Sequence, residues 1–403
     1  MKNLVLPCLI GLILWANISN AQVKTAAEQT NLYLPLLKGK KVALVVNNSS
    51  CIGQIHLIDS LLSLKIKVAK IFAPEHGLKG NVSAGDKVSN EVYGKSKIPV
   101  ISLYGEKKKP TTEDLKGIEV VVFDIQDAGV RFFTYISTMS YVMEACAENN
   151  IPLIVLDRPN PNGYYVDGPV LKKEFASFVG LHPVPVVYGM TIGEYAKMVN
   201  GEGWLKNQIL CDLKVIPLSN YRREEIYIPV QALSPNLRTR EAILLYPSLC
   251  FFEGTPISVG RGTEYPFEVI GFPGFRQGSF SFTPVSVQGV SENPPYMNKE
   301  CTGFHLHDFA EEFIPAFRGL YLFWLKDFYD AYEEKDKFFN PFFDKLAGTD
   351  ELRKQIISGM EVDMIRKSWE LDIIKFLEIR KKYLIYPDIQ ASSVPVPLQI
   401  QQR

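Results

Sequence analysis

The sequence predicts an α/β protein, with a Rossmann-like parallel sheet domain followed by a second, smaller α+β domain. Three observations predict it. Short apolar runs alternate with segments of helical period through the first half of the chain. Each apolar run ends in polar residues, as expected where the carboxyl ends of parallel strands gather on one ligand-binding edge. Beyond about residue 300 helical patterning takes over.

Lys41–Asn47 is an apolar run of strand length, and Ile55–Leu64 then has helical spacing. Val68–Ala73, Val100–Tyr104, Glu119–Asp124 and Pro152–Asp157 supply four more strands, with a helix over Tyr135–Glu148 before the last. Thr191–Asn200 reads as a helix in a loop-rich middle. Phe251–Gly274 mixes Gly, Pro and charge with Phe, Tyr and Val, the composition of a functional loop rather than a linker. Pro284–Tyr296 reads as a junction, and Phe309–Ala316, Leu320–Tyr332, Leu352–Gly359 and Ile365–Tyr383 read as helices. The tail after Pro387 is expected to be poorly ordered. The expected units are a targeting segment at 1–21, the Rossmann-like domain at 22–285, and a smaller, mainly helical domain at 286–403 that closes a cleft.

The chain start carries the marks of an export signal. Lys2 precedes an apolar run over Leu4–Trp15, too short for a comfortable membrane span, and Ser19 and Ala21 place small residues where a signal peptidase cutting after Ala21 needs them. The mature protein is thus expected to be periplasmic or secreted and not membrane-spanning. Lys+Arg and Asp+Glu both number 44, so no basic surplus points to nucleic acid. Beyond Cys8 the cysteines Cys51, Cys146, Cys211, Cys250 and Cys301 are odd in number and irregularly spaced. No CxxC pair or histidine spacing suggests a metal, and no disulfide is expected to be essential. The first strand lacks a GxGxxG turn, and no Walker or Gly-x-Ser-x-Gly motif follows, so no cofactor is expected.

The polar strand ends are Asn47–Asn48, Pro74–Gly77, Tyr104–Glu106, Asp124–Asp127 and Asp157–Gly163. Segments Phe72–Gly80, Val122–Thr138, Leu156–Gly163, Phe178–Pro183, Gly201–Trp204, Ser234–Leu237, and Phe252–Thr255 through to Phe267–Glu268 resemble, in order, the hallmark segments of the exo-β-N-acetylmuramidase (NamZ) family. The resemblance runs from Gly39 to Tyr386, with Asn47–Ser50 departing from the more usual Asn-Pro. It implies a Rossmann-like domain plus a smaller one, with the active site between them. It also implies an exo-acting glycosidase that releases N-acetylmuramic acid from the non-reducing end of peptidoglycan fragments by cleaving its β-1,4 link to N-acetylglucosamine.

Glycoside hydrolysis uses a carboxylic acid to protonate the leaving oxygen and a second group to activate water or attack the sugar. Glu75 is the first choice for the acid, since an enclosed strand end can raise a carboxyl pKa; the alternative is a capped turn. His76 either orients Glu75, binds a hydroxyl or is structural. Asp124 and Asp127 read as the second carboxylate, as hydroxyl ligands or as helix caps. Arg131 either forks onto the lactyl carboxylate of muramic acid or pairs with Asp127, and Tyr135 stacks on sugar or packs. Asp157, Arg158, Asn160 and Asn162, stiffened by Pro159 and Pro161, form either a preorganised binding loop or a rigid turn. Glu253, Arg261 and Glu264, with Glu268, are the reactive groups of the later loop. Two other readings use the same cleft: a non-catalytic binder of wall fragments, and a metal-dependent phosphoesterase built on Asp124, Asp127 and Glu75.

Overall fold

The structure, a computed structural model, describes residues 22–83, 91–95 and 97–389. The expected export signal at 1–21 and the far end of the tail lie outside the described residues. The main sheet is built from β1 (Lys41–Val46), β2 (Lys67–Ala73), β3 (Glu91–Tyr93), β4 (Ile98–Ser102), β5 (Val120–Asp124), β6 (Leu153–Leu156) and β7 (Leu213–Ile216). Its order is β3-β4-β2-β1-β5-β6-β7, with every pairing parallel except that of β3 with β4. This is the expected Rossmann-like sheet with one antiparallel edge strand added.

The period of a strand explains the two cores. Ala43 and Val45 point to one face and Val42, Leu44 and Val46 to the other, and all five are fully buried. Helices α1 (Thr30–Leu37) and α2 (Leu57–Ser63) cover the second face through Tyr33, Leu37, Leu57, Ile58 and Leu61. Helices α3 (Tyr135–Glu148) and α4 (Ile192–Gly201) cover the first through Ile136, Met139, Met143, Tyr195 and Val199. Two-sided burial is why these strands read as continuous apolar runs; truncating Leu44 to alanine should cost about 2–5 kcal/mol.

A shorter helix replaces the one expected over Ile55–Leu64. Ile55–His56 pairs with Cys51–Ile52, and the helix begins only at Leu57, where the His56 ring accepts from the Ile58 amide at 3.2 Å. The helix expected over Phe309–Ala316 splits into His307–Glu312 and Ile314–Phe317, because Pro315 has no amide hydrogen to donate to the Glu311 carbonyl and sits in the first turn of a new helix instead.

After α5 (Arg240–Leu249) comes a small antiparallel sheet, β8 (Val269–Phe272), β9 (Phe280–Phe282) and β10 (Cys301–His305), with β10 between the other two. A domain boundary after residue 285 would separate β10 from both its partners. Helices α6 (Phe323–Ala331), α7 (Pro341–Ala347), α8 (Glu351–Ile357), α9 (Val362–Ser368) and α10 (Glu370–Lys381) follow. The single helix expected over Ile365–Tyr383 is broken at Trp369, whose indole N–H donates to Asp167 at 3.1 Å. Asp167 also accepts from the Leu320 amide and pairs with Arg366, tying the C-terminal helices to the loop-rich middle of the chain. The C-terminal residues Phe328, Phe343 and Ile365 share one core with β5 and α3. All five described cysteines are free, and no helix among the described residues is long and apolar enough to cross a membrane.

Candidate active site

A cleft of about 660 Å³ opens beyond the carboxyl ends of β2, β4 and β5. Glu75 and His76 enter it from the turn after β2, Tyr104 and Lys108 from the loop after β4, and Phe133, Thr134 and Tyr135 from the start of α3. Tyr246, Cys250, Glu253, Arg261 and Phe267 close it from the C-terminal half, with Glu292 and Asn293 at the segment read as a junction.

The β2 turn is tightly held. Both His76 and Gly77 have left-handed backbone, with φ of 69° and 74°. A Cβ on Gly80, at φ +64°, would lie 2.3 Å from the Asn48 side chain, so that position requires glycine. The departure at Asn47–Ser50 is absorbed locally: Asn47 Oδ1 accepts from the Ser49 amide and hydroxyl, and the Asn48 amide donates to the Ala232 carbonyl.

Glu75 is nine-tenths buried, and its Oε2 accepts a 2.7 Å hydrogen bond from the Thr134 hydroxyl at the cap of α3. Oε1 takes no hydrogen bond from the described residues. His76 Nδ1 lies 2.7 Å from the Val82 carbonyl. A carbonyl only accepts, so Nδ1 carries the proton and Nε2 of the neutral ring is an acceptor. Burial lowers the His76 pKa, outweighing the opposite pull of Glu75 and of the Val82 carbonyl, so the ring is neutral near pH 7. Arg261 is ion-paired with Glu253 through Nε and lies 5.0 Å from the Phe267 ring. Burial works against its charge, but Glu253 outweighs burial and raises its pKa. The Tyr135 hydroxyl donates to the Leu233 carbonyl at 3.3 Å, and its ring packs edge-on against Phe133.

The structure therefore brings Glu75, His76, Tyr135, Glu253 and Arg261 together and leaves the other expected site residues out. Asp124 is fully buried, with its two oxygens on Nε and Nη2 of Arg158 at 2.6 and 2.8 Å. It is an ion-pair partner, not a catalytic group of this cleft. Arg158 borders a separate cavity of about 380 Å³ with Cys51, Gln126 and Tyr227. Asp127 Oδ2 accepts from the Gly129 amide and the Tyr188 hydroxyl, and burial pushes its pKa up to about 7. Asp157 accepts from Thr191, Gly193 and Tyr386, and Asn160 and Asn162 donate to backbone carbonyls of Met190, Ala128 and Ile243. This strand-end loop is a rigid structural turn. Glu264 is exposed outside the cleft.

Arg131 is the largest correction. It is fully buried, and its guanidinium donates to the carbonyls of Pro169, Val184, Leu346 and Ala347 at 2.7, 2.8, 2.9 and 2.7 Å. No fork remains for a substrate carboxylate, and Asp127 is not its partner. Glu75, Asp124 and Asp127 do not converge as metal donors. The one such group among the described residues is Glu241, Glu268 and His307, whose donor atoms lie within 4.8 Å of one another. Glu268 there is already held by the Thr239 hydroxyl at 2.5 Å and by His307 at 3.4 Å. Residue spacing gave no sign of this group, because tertiary folding alone assembles it.

Tyr104, from a polar strand end, lines the cleft together with Thr134, Lys108, Phe178, Tyr246, Glu292 and Asn293, which are not among the expected site residues. Thr134 had a legible signal, a threonine immediately before a helix. Lys108 sat in view among three lysines next to a strand end.

A Rossmann-like sheet with a buried, hydroxyl-held carboxyl group in an aromatic cleft, roofed by a second unit, has the layout of a sugar hydrolase. Comparison with known proteins agrees. The models of the N-terminal and C-terminal parts of exo-β-N-acetylmuramidase NamZ match residues 42–241 and 244–386, and the chain belongs to this family. It is 37% identical, over 96% of its length and 100% of the relative's, to the peptidoglycan β-N-acetylmuramidase NamZ of Bacillus subtilis (strain 168). Crystal structures of two DUF1343 family proteins from Bacteroides fragilis superpose with TM-scores of 0.85 and 0.75, at 44% and 29% identity. Each match covers 91% of this chain, and 100% and 99% of the respective relatives.

Proposed function

We propose that this protein is an exo-acting glycoside hydrolase that releases N-acetylmuramic acid from the non-reducing end of peptidoglycan fragments by hydrolysing the β-1,4 link to N-acetylglucosamine. The observation that carries this reading is Glu75. Thr134 fixes one of its oxygens, while the other has no partner among the described residues that line the cleft with it. A carboxyl group so held is oriented to give its proton to a glycosidic oxygen. Glu253, the other cleft carboxylate from the later loop, is engaged by Arg261, which fits a binding or supporting role better than proton donation. Family membership supplies the sugar class. We further place the protein outside the cytoplasm, on the signal-like segment ending at Ala21.

Release of muramic acid from the disaccharide of N-acetylmuramic acid β-1,4-linked to N-acetylglucosamine tests the reading directly. A wall-fragment binder would retain the disaccharide without cleaving it. Glu75→Gln keeps the shape and removes the transferable proton, so turnover should fall about 10²–10⁴-fold. A nitrophenyl leaving group needs less protonation and should suffer less. Near-normal turnover of the unactivated disaccharide by Glu75→Gln would remove Glu75 as the acid. The phosphoesterase reading has no geometric support, since the carboxylates it needs are held apart by Arg158 and Tyr188.

A further inference from the structure

We propose that Lys108 is the residue that recognises the lactyl carboxylate of the terminal muramic acid; this rests on the muramidase reading above. The charges of the cleft lead to it. Of its cationic or protonatable nitrogen groups, Arg261 has its charge balanced by Glu253 at Nε, and His76 is a neutral ring held by Val82. Lys108 remains. Its ammonium lies 4.6 Å from the centre of the Phe178 ring and has no carboxylate partner among the described residues.

The loop that carries it is anchored on both sides. Lys107 pairs with Asp114 at 3.1 Å, and Lys109 pairs with Glu144 and Glu148 at 3.1 and 2.7 Å. Three successive lysines therefore divide into two clamps and one presented charge. The clamps hold the loop to the one-turn helix at Thr112–Leu115 and to α3, and the middle side chain goes to the cleft. Phe178, stacked parallel to Tyr141 with centroids 6.2 Å apart, gives that side chain a firm support. A cation over a ring face keeps its other directions for an anion.

The substrate needs such a charge. Muramic acid differs from N-acetylglucosamine by an ether-linked lactyl group, anionic near neutral pH, and the cleft already contains the acidic residue Glu292. Without an unpaired cation, the added carboxylate would be disfavoured in this cleft. An ammonium offers a point charge rather than a planar fork, which suits a carboxylate on a rotatable lactyl arm.

The test compares Lys108→Met, which keeps length and removes charge, with Lys108→Arg, which keeps charge. Two readouts are taken: the kcat/KM ratio for 4-nitrophenyl β-glycosides of N-acetylmuramic acid and N-acetylglucosamine, and calorimetric binding of the two free sugars. A charge-assisted contact predicts that Lys108→Met lowers the preference for muramic acid on the order of 10- to 100-fold, and that Lys108→Arg restores most of it. A folding defect lowers both sugars together and leaves the ratio alone. A ratio within twofold of the wild type in Lys108→Met overturns the assignment while the hydrolase reading stands. If the wild type binds muramic acid preferentially through Lys108 but cleaves no glycoside, the hydrolase reading falls and the assignment stands. Absence of any wild-type preference for muramic acid in both readouts overturns the assignment as well.

Discussion

Arg131→Met separates a structural arginine from a substrate-reading one. The wild-type guanidinium donates four hydrogen bonds, two of them to the Leu346 and Ala347 carbonyls at the C-terminus of α7. Those carbonyls have no partner within their own helix, and a cation there also meets the negative end of the helix dipole. Methionine keeps much of the apolar stem but leaves the carbonyls without their donor. At about 1 kcal/mol or more for each buried group left unpaired, the gross loss is roughly 4 kcal/mol. Arg131 has no carboxylate partner, and burial pushes its pKa down to about 9, so removing the charge returns part of its desolvation cost. The Val184 carbonyl also keeps the Leu171 amide as a donor. A net loss on the order of 3 kcal/mol is a large share of the 5–15 kcal/mol typical of folded proteins. At about 2 °C per kcal/mol for a large chain, Tm should fall by roughly 6 °C. Thermal or urea unfolding measures the loss, and the kcat/KM ratio for muramic acid over N-acetylglucosamine glycosides is taken on the same sample. That ratio should stay at the wild-type value. Wild-type stability together with a lost preference for muramic acid would refute the structural assignment of Arg131.

Three further outcomes are expected. Thr134→Val removes the hydroxyl that holds Glu75 and should lower kcat/KM by about 2- to 12-fold, the worth of one neutral hydrogen bond, with Thr134→Ser restoring it; equal activity in all three proteins would show that the contact does not position the acid. Asp127 has its folded pKa raised to about 7, above its unfolded value, so its contribution to stability is complete below about pH 4 and is lost as pH rises through 7. Asp127→Asn should therefore flatten the decline in Tm between about pH 4 and 7, the window set by those two values, and an unchanged slope would show that Asp127 does not titrate there. Mass spectrometry of the protein from its native cell should find Gln22 as the first residue, and an intact Met1 in soluble cytoplasmic protein would end the export proposal.

The helix Tyr135–Glu148 was legible to the residue, and β1, β2, β4, β5 and β6 to within two residues at either end. Their signals are local: a period of 3.6 or a run of buried β-branched residues can be read over ten positions. The antiparallel sheet at 269–305 was not legible, because its strands are short, two of them carry central glycines, and only pairing across the sheet defines them. In the site, Glu75 and His76 were legible from their place after β2. The role of Arg131 was not. Its neighbours Val130, Phe132 and Phe133 marked a charge in an apolar stretch, but its acceptors lie at 169, 184, 346 and 347.

By itself, the sequence determined the parallel sheet, the gathering of polar strand ends on one edge, and the family, since these depend on local patterning and on long segments kept in order. Only the tertiary structure decided which strand ends face the substrate and which hold the fold together. Asp124 and Glu75, or Lys107 and Lys108, differ little in residue type or in nearness to a strand end. They differ in what the fold places within 4 Å of them. A charge that finds a buried partner there is satisfied and becomes structural, and one that finds none is left for the ligand.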